Sequence, residues 1–223
     1  MGRGDQQQAS GGAELLFERR HRRVSAPELP RICPSAYGGY CDLRAHGPTG
    51  RFALTYEPRS VVVVGGIPGS GKAALVSRLR PEARVLNVDE LIQERIAAGE
   101  DIAEATASSE AQIAEQVVGA QGPVVIVAPA VYQARVRPYL DAADVSGRSA
   151  HCLVIDADPG DCRAAWERSG RPPIADDSWR RYQVMMRKRI DRAARENHLH
   201  GFASFTVASP EVLERLGRLR FGD

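Results

Sequence analysis

A run of valines that leads into a glycine-rich turn constrains this chain more than any other feature. Residues 61–64 are all valine, and residues 65–72 read Gly-Gly-Ile-Pro-Gly-Ser-Gly-Lys. Branched side chains favour a strand that is covered on both faces, as in a parallel sheet. The glycines allow backbone conformations with positive φ and leave room for a ligand to approach the backbone closely. The pattern therefore predicts a buried strand, a tight loop and a helix that begins near residue 73.

The same segment matches a phosphate-binding motif. Gly66, Gly71 and Lys72 fit the pattern G-x-x-x-x-G-K-[ST], in which successive backbone N–H groups and a helix N-terminus surround phosphate oxygens. The chain has only two lysines, Lys72 and Lys188, among its 30 basic residues, and one of them occupies the loop position that contacts phosphates as a compact point charge. We expect the following residues to hold the phosphate chain of a ligand: Gly66, Ile67, Pro68, Gly69, Ser70, Gly71, Lys72 and Ala73.

Two positions depart from what a magnesium-dependent site requires. Ala73 stands where Ser or Thr would ligate Mg²⁺. The third apolar strand, at 124–127, runs into Ala-Pro-Ala without an acidic residue. Mg²⁺ keeps several waters and needs one or two carboxylates besides the phosphates, so Asp89 or Glu90 could hold it. The motif thus predicts phosphate binding more firmly than catalysis, and we assign no metal-ligating residue.

Strand-like and helix-like segments alternate from residue 60 onward, which is typical of a parallel sheet with helical crossovers. The predicted fold class is α/β, with helices on both faces of a mostly parallel five-stranded sheet. The predicted strands are 61–64, 83–88, 124–127, 151–155 and 202–208. Residues 1–58 are predicted to be a flexible N-terminal extension with at most a short strand at 51–56, and residues 59–223 a P-loop NTP-binding domain.

Asp89 is the second candidate site residue. It follows the second strand, within Val-Asp-Glu-Leu-Ile, and ligands of open α/β sheets bind at the carboxyl ends of the strands. A carboxylate there could accept the proton of a hydroxyl group that attacks a phosphate. Alternatively, Asp89 caps the helix that follows. The residues themselves leave both roles open.

The loop and Asp89, about 17 residues further on, resemble the P-loop kinases grouped with polynucleotide kinase, zeta-toxin-type kinases and antibiotic phosphotransferases. Over residues 60–221 the chain also resembles bacterial proteins described generically as AAA-type ATP-binding proteins. The resemblance implies a P-loop NTPase fold, ATP as the bound nucleotide, and Asp89 as the group that activates an acceptor hydroxyl.

Residues 163–171, Arg-Ala-Ala-Trp-Glu-Arg-Ser-Gly-Arg, resemble the arginine-bearing lid of that group. This implies that Arg168 and Arg171, with Arg163 as a third candidate, neutralise charge during phosphoryl transfer. The alternative is that these arginines lie on a solvated helix face, as surface arginines usually do.

Two functional hypotheses follow. The first is an ATP-dependent kinase or other transferase that phosphorylates a hydroxyl-bearing acceptor, which the sequence does not identify, with Lys72, Asp89, Arg168 and Arg171 as catalytic residues. The second is a catalytically impaired nucleotide-binding protein with a regulatory or structural role. Ala73 and the third strand without an acid favour the second hypothesis, whereas Asp89 and the lid arginines favour the first.

Composition adds little to these hypotheses. The net charge is +2, and binding to nucleic acid would rest only on arginine-rich segments at 19–23 and 180–195. No apolar stretch approaches the ~20 residues that a membrane span needs. The four cysteines form no C-x-x-C pair, and His198 and His200 have no third ligand nearby, so no metal site is predicted. We expect a cytoplasmic protein without a membrane partner.

Overall fold

The computed structural model of the protein describes residues 29–34, 39–129, 133–197 and 201–222. The arginine-rich segment at 19–23 and the pair His198 and His200 lie outside these residues. The described residues form nine strands and eight helices in this order: β1 Arg31–Ile32, β2 Tyr40–Asp42, α1 Leu43–His46, β3 Phe52–Tyr56, β4 Val61–Gly65, α2 Lys72–Leu79, β5 Arg84–Asn87, α3 Val88–Ala97, α4 Ile102–Val118, β6 Val124–Val127, α5 Gln133–Val145, β7 Ala150–Ile155, α6 Pro159–Arg168, α7 Asp176–Glu196, β8 Ser204–Ala208, α8 Pro210–Arg215 and β9 Leu216–Phe221.

The main sheet has six parallel strands in the order β2-β8-β7-β4-β6-β5. The valine strand β4 lies in the centre, where Val61 is in register with Val124 of β6 and Ala150 of β7. Its four valines are fully buried, as the branched run predicts. The α/β class and the parallel sheet are therefore confirmed. The expected strand number was too low by one, because the three-residue β2 is too short to show a hydrophobic period and pairs with β8 from a distant part of the sequence.

A second sheet of three parallel strands, β1-β3-β9, lies beside the first. The sequence predicts the central strand at 51–56, and β3 spans Phe52–Tyr56. It does not predict β9, since residues 210–216 read as one closing helix, whereas α8 ends at Arg215 and the chain turns into a strand. The division of the chain at residue 58 stays a prediction, and residues 1–28 lie outside the described part. Later in that stretch, the chain forms the regular elements β1, β2, α1 and β3.

Each face of the main sheet is covered by its own core. On one face α3, α4, α5 and α7 contribute buried side chains such as Ile113, Tyr139 and Ile190. On the other face α2 and α8 pack together with the small sheet through side chains such as Leu75 and Leu213. Helices that cover both faces leave the carboxyl ends of the strands, where the loop after β4 lies, as the accessible edge for a ligand. None of the described helices combines the length and the apolar character that crossing a bilayer would need.

Candidate phosphate-binding site

The loop between β4 and α2 has the backbone shape that its glycines predict. Gly69 and Gly71 adopt φ values of 78° and 84°, which side chains other than glycine rarely tolerate. Gly71 is also the N-cap of α2, and no side chain caps this helix. The first N–H groups of α2 are therefore not covered by a cap, which is the arrangement that an anion at a helix N-terminus needs.

Helix α6 lies directly against this loop. A Cβ atom at Gly69 would overlap the backbone carbonyl of Cys162 in the middle of α6. Glycine at position 69 is thus required both by its positive φ and by the approach of α6. Helix α6, with which the lid-like segment begins, is therefore in direct contact with the loop.

Lys72 is buried within the loop, with 5% of its surface exposed. Its Nζ atom donates hydrogen bonds to the backbone carbonyls of Gly66 at 3.1 Å and Ile67 at 3.0 Å. Burial lowers the pKa of Lys72, the carboxylate of Asp89 opposes this shift, and the nearby guanidinium of Arg171 adds to it. An ammonium group has three donors, so one remains for a phosphate oxygen.

A cavity of about 280 Å³ joins the loop to the other candidate residues. It brings Lys72 together with Asp89 from the first turn of α3 and Arg171 from the segment after α6. The full lining is Gly69, Gly71, Lys72, Ala73, Ala74, Asn87, Asp89, Val127, Ala165, Trp166, Ser169 and Arg171. A phosphate chain in this cavity would face two cations, the uncapped N-terminus of α2 and one carboxylate.

Asp89 does not cap α3. The N-cap is Asn87, whose side-chain oxygen accepts a hydrogen bond from the N–H of Glu90 at 3.5 Å, and the helix begins at Val88. Asp89 is instead a half-buried residue in the first turn and lines the cavity. Its carboxylate is therefore placed where a ligand can reach it.

The three lid arginines have different surroundings. The guanidinium carbon of Arg171 lies 5.1 Å from the ring centroid of Trp166, and both residues line the cavity. Arg168 is exposed in the last turn of α6 and is not part of the lining. Arg163 forms ion pairs with Glu167 at 2.9 Å and Asp176 at 2.8 Å. The structure thus brings one of the three to the phosphate loop.

The residues around the cavity do not fit a magnesium ion held by the protein. Ala73 presents a methyl group, and Asp89 is the one carboxylate among the lining residues. The end of β6 is adjacent to the loop, because Gly66 N–H donates to the carbonyl of Pro129 at 3.2 Å, but Ala128 is an apolar residue there. Within the described residues no cluster of three His, Cys, Asp or Glu side chains could hold a metal.

Asp156 does not replace the missing acid. It follows β7, the other neighbour of β4, yet it lies outside the cavity lining and its carboxylate accepts a hydrogen bond from Arg44 at 2.5 Å. The sequence suggests a cap or turn role for Asp156, but the N-cap of α6 is Asp158, as its place before Pro159 predicts. A larger cleft of about 460 Å³ lies beside Asp156 and contains neither Lys72 nor Asp89.

Asn87 and Trp166 are among the lining residues that sequence reasoning missed. Asn87 lines the cavity two residues before Asp89, and Trp166 lines it next to Arg171. Asn directly after an apolar strand and before Val-Asp-Glu is a helix N-cap signal that could have moved the predicted cap from Asp89 to Asn87. No comparable local signal exists for Trp166, since an aromatic residue in an amphipathic helix usually packs in the core.

Part of this chain is similar to a known protein family, and the chain has a distant likeness to several solved structures. Residues 61–171 match the family model of an AAA domain. Similar solved structures include the tunicamycin resistance protein of Deinococcus radiodurans, at 16% identity over 63% of this chain and 96% of that one, with a TM-score of 0.42. A gluconokinase from Sinorhizobium meliloti 1021 is 15% identical over 72% of this chain and 90% of that one, with a TM-score of 0.47. The APS kinase of Mycobacterium tuberculosis, solved with AMPPNP and APS, is 17% identical over 72% of this chain and 94% of that one, with a TM-score of 0.43.

No curated protein matches the sequence. The glycine loop after a central parallel strand, the buried Lys72 and the AAA-domain match over residues 61–171 agree with one another. Over residues 61–171 this chain is therefore similar to the AAA domain family.

Proposed function

We propose that this protein binds ATP in the cavity at the loop and transfers the γ-phosphoryl group to a hydroxyl group of an acceptor molecule. One observation carries the proposal: a single cavity is lined by the phosphate loop, the buried Lys72, Asp89 and Arg171. Each of these groups suits one part of a phosphoryl transfer, which is catalysed mainly by positioning and by charge stabilisation.

In the proposed reaction, the loop N–H groups and Lys72 hold the phosphate chain. The acceptor oxygen forms a bond to the γ-phosphorus while the bond between that phosphorus and the bridging oxygen of ADP breaks. The acceptor proton passes to the carboxylate of Asp89, and ADP leaves with the electron pair of the broken bond. Arg171 offsets the negative charge on the transferring group.

Ala73 and Ala128 favour a second candidate, a nucleotide-binding protein without turnover. Ala73 lines the cavity with a methyl group, and Ala128, at the end of β6 next to the loop, also has only a methyl group. Nucleotide binding would then serve a regulatory or structural purpose, and Mg²⁺ would contribute little to it.

Calorimetry with ATP, with and without Mg²⁺, on the wild type and on Ala73→Ser tests nucleotide binding. Both candidates require the wild type to bind ATP, so an absence of binding in both conditions would contradict them together. Binding that is insensitive to Mg²⁺ in the wild type and becomes dependent on Mg²⁺ in Ala73→Ser supports the candidate without turnover.

Formation of ADP from ATP separates the two candidates. We expect the wild type to form ADP with water or with one of a panel of hydroxyl compounds as the acceptor, and Asp89→Asn to lose this activity while it still binds ATP. Glu94→Gln is a matched control, since Glu94 is an exposed carboxylate of the same helix outside the cavity lining. Turnover that survives Asp89→Asn unchanged would exclude Asp89 as the base.

A further inference from the structure

Arg171 and Trp166 form a cation–π contact in the lining of the cavity. The guanidinium lies over the indole ring, with 5.1 Å between the guanidinium carbon and the ring centroid. Both residues line the cavity together with Lys72. Trp166 is only partly buried, whereas the other tryptophan, Trp179, is 3% exposed and belongs to the core.

The turn that carries Arg171 is tied back to Trp166 from both sides. The indole N–H of Trp166 donates to the carbonyl of Pro172 at 2.9 Å, directly after Arg171. The backbone carbonyl of Trp166 accepts bonds from the N–H and the hydroxyl of Ser169 at 3.0 Å and 2.6 Å. Gly170 turns the chain between them with a φ of 70°. The segment from 169 to 172 is thereby held around one side chain.

This arrangement places two cations, Lys72 and Arg171, in the lining of one cavity. Arg171 is close enough to Lys72 to disfavour the charged form of the lysine. Repulsion would drive a free arginine side chain away from the loop into water. The negative face of an indole ring attracts a guanidinium and can offset this repulsion.

We propose that Trp166 is a positioning residue, which holds Arg171 at the cavity of the phosphate loop, where the guanidinium can contact the phosphates of a nucleoside triphosphate. The ligand side of this inference rests on the proposed function. Trp166 acts through Arg171 and, in this view, makes no contact with the reacting atoms.

The contact itself can be tested without a nucleotide. In a Trp179→Phe background, Trp166 is the only tryptophan, because the chain has two. Removing the guanidinium with Arg171→Ala should increase the acrylamide quenching of Trp166 fluorescence, since one face of the ring loses its cover. Arg137→Ala is the control, because Arg137 is an exposed arginine that pairs with Asp141 on α5. Quenching that does not change in Arg171→Ala would overturn the inference.

The ligand side is tested by ATP affinity in a double-mutant cycle with Trp179 intact. We expect Arg171→Ala and Trp166→Leu each to weaken ATP binding about three- to tenfold, the range that a cation–π contact and its charge contribution correspond to. The double variant should bind no more weakly than either single variant, because Trp166 acts only through Arg171. Trp166→Phe keeps an aromatic face and should retain most of the affinity.

The outcomes separate this inference from the proposed function. If the losses of ATP binding free energy in the two single variants add up in the double variant, the positioning role is overturned. Equal losses of ATP affinity in Trp166→Phe and Trp166→Leu would also overturn it. If the wild type binds no ATP, the proposed function and the ligand side of the inference fail together, whereas the quenching experiment still decides whether Trp166 holds Arg171.

Discussion

Polar side chains at the two ends of the main sheet have different surroundings. At the carboxyl end, Lys72, Asp89 and Arg171 line one cavity, and Lys72 donates two of its three hydrogen bonds to backbone carbonyls of the loop. At the amino end, His151 and Arg148 are buried and form hydrogen bonds with other groups of the protein. Under the proposed function, the polar groups at the first end contact a ligand, whereas those at the second end form hydrogen bonds within the protein and stabilise the fold.

At the amino end, both ring nitrogens of His151 have hydrogen-bond partners. The ring of His151 lies between the carboxylate of Glu57 at 2.6 Å and the hydroxyl of Ser204 at 2.8 Å. Its order of Ser, His and Glu resembles a hydrolytic triad, but Ser204 is 1% exposed and His151 is fully buried, so no substrate can reach the hydroxyl. Burial lowers the pKa of His151 against the effect of Glu57. A neutral ring that donates from Nε2 to Glu57 and accepts at Nδ1 from Ser204 satisfies all three groups.

Lys72→Met should produce the largest change at the carboxyl end. Removing a buried ammonium that contacts phosphates should weaken ATP binding by about 100-fold or more, since each bond to a charged group contributes about 1.5–3 kcal/mol. Methionine approximates the length of the side chain but leaves the carbonyls of Gly66 and Ile67 without their donor, so the thermal unfolding midpoint should also fall. Lys188→Met is the control, because Lys188 is the only other lysine and is exposed on α7. Calorimetry and thermal unfolding measure the two effects, and equal affinities of the two variants would contradict the role of Lys72.

Arg148→Leu should produce the largest change at the amino end. The Arg148 guanidinium donates to the carbonyls of Arg59 and Gly122 at 3.0 Å and 2.7 Å and also to that of Ala120. These bonds connect the segment before β7 to the segments before β4 and β6. Leaving these carbonyls without their partner should lower the free energy of unfolding by about 2–3 kcal/mol. ATP affinity should stay the same, which chemical denaturation and calorimetry on one preparation can establish. A variant that loses affinity but keeps its stability would contradict the separation of the two ends.

The pH dependence of stability should come in part from His151. Because its pKa in the folded protein lies below the ordinary value of 6.5, the unfolded chain binds a proton more readily than the folded one. The free energy of unfolding should therefore fall as pH is lowered from 7 to 5, by at most about 1.4 kcal/mol per pH unit for this one group.

Glu57 acts in the same direction at lower pH. Burial raises the pKa of Glu57, but its backbone hydrogen bond, His151 and Ser60 together lower the pKa by more than burial raises it. The net pKa is therefore below 4.5. Its contribution to stability is present above that value and is lost as pH falls through the folded pKa.

Denaturant titrations test the role of His151. In His151→Gln the free energy of unfolding should depend less on pH between pH 7 and pH 5, whereas His46→Gln, which changes an exposed residue of α1, should keep the wild-type slope.

The sequence predicts the parts of the site that are local and misses those that depend on distant contacts. The strand, loop and Lys72 follow from twelve consecutive residues, and Asp89 follows from its place after a strand. The edge strand β2 has only three residues, and β2 and β9 each pair with a segment more than 150 residues away in the chain. The bonds of Arg148 and the contact between Arg171 and Trp166 likewise depend on how the chain turns in space.

The lid arginines are the sharpest example of this limit. Arg168 and Arg171 lie three residues apart and match a lid motif equally well, yet α6 ends at Arg168 and Gly170 redirects the chain before Arg171. Only Arg171 consequently reaches the cavity lining.

The smallest predicted effect tests this distinction. Arg168 has an exposed side chain, so Arg168→Ala removes a charge that solvent already screens and should change ATP affinity by less than about twofold. Arg171→Ala removes a charge beside the buried ammonium of Lys72 and should weaken affinity several times more. Because screening by salt weakens exposed charges most, the remaining effect of Arg168→Ala should vanish at about 0.5 M salt while that of Arg171→Ala persists. Calorimetry at two salt concentrations measures both effects, and a larger loss of affinity in Arg168→Ala than in Arg171→Ala at high salt would contradict the assignment of Arg171 as the arginine that contacts the nucleotide.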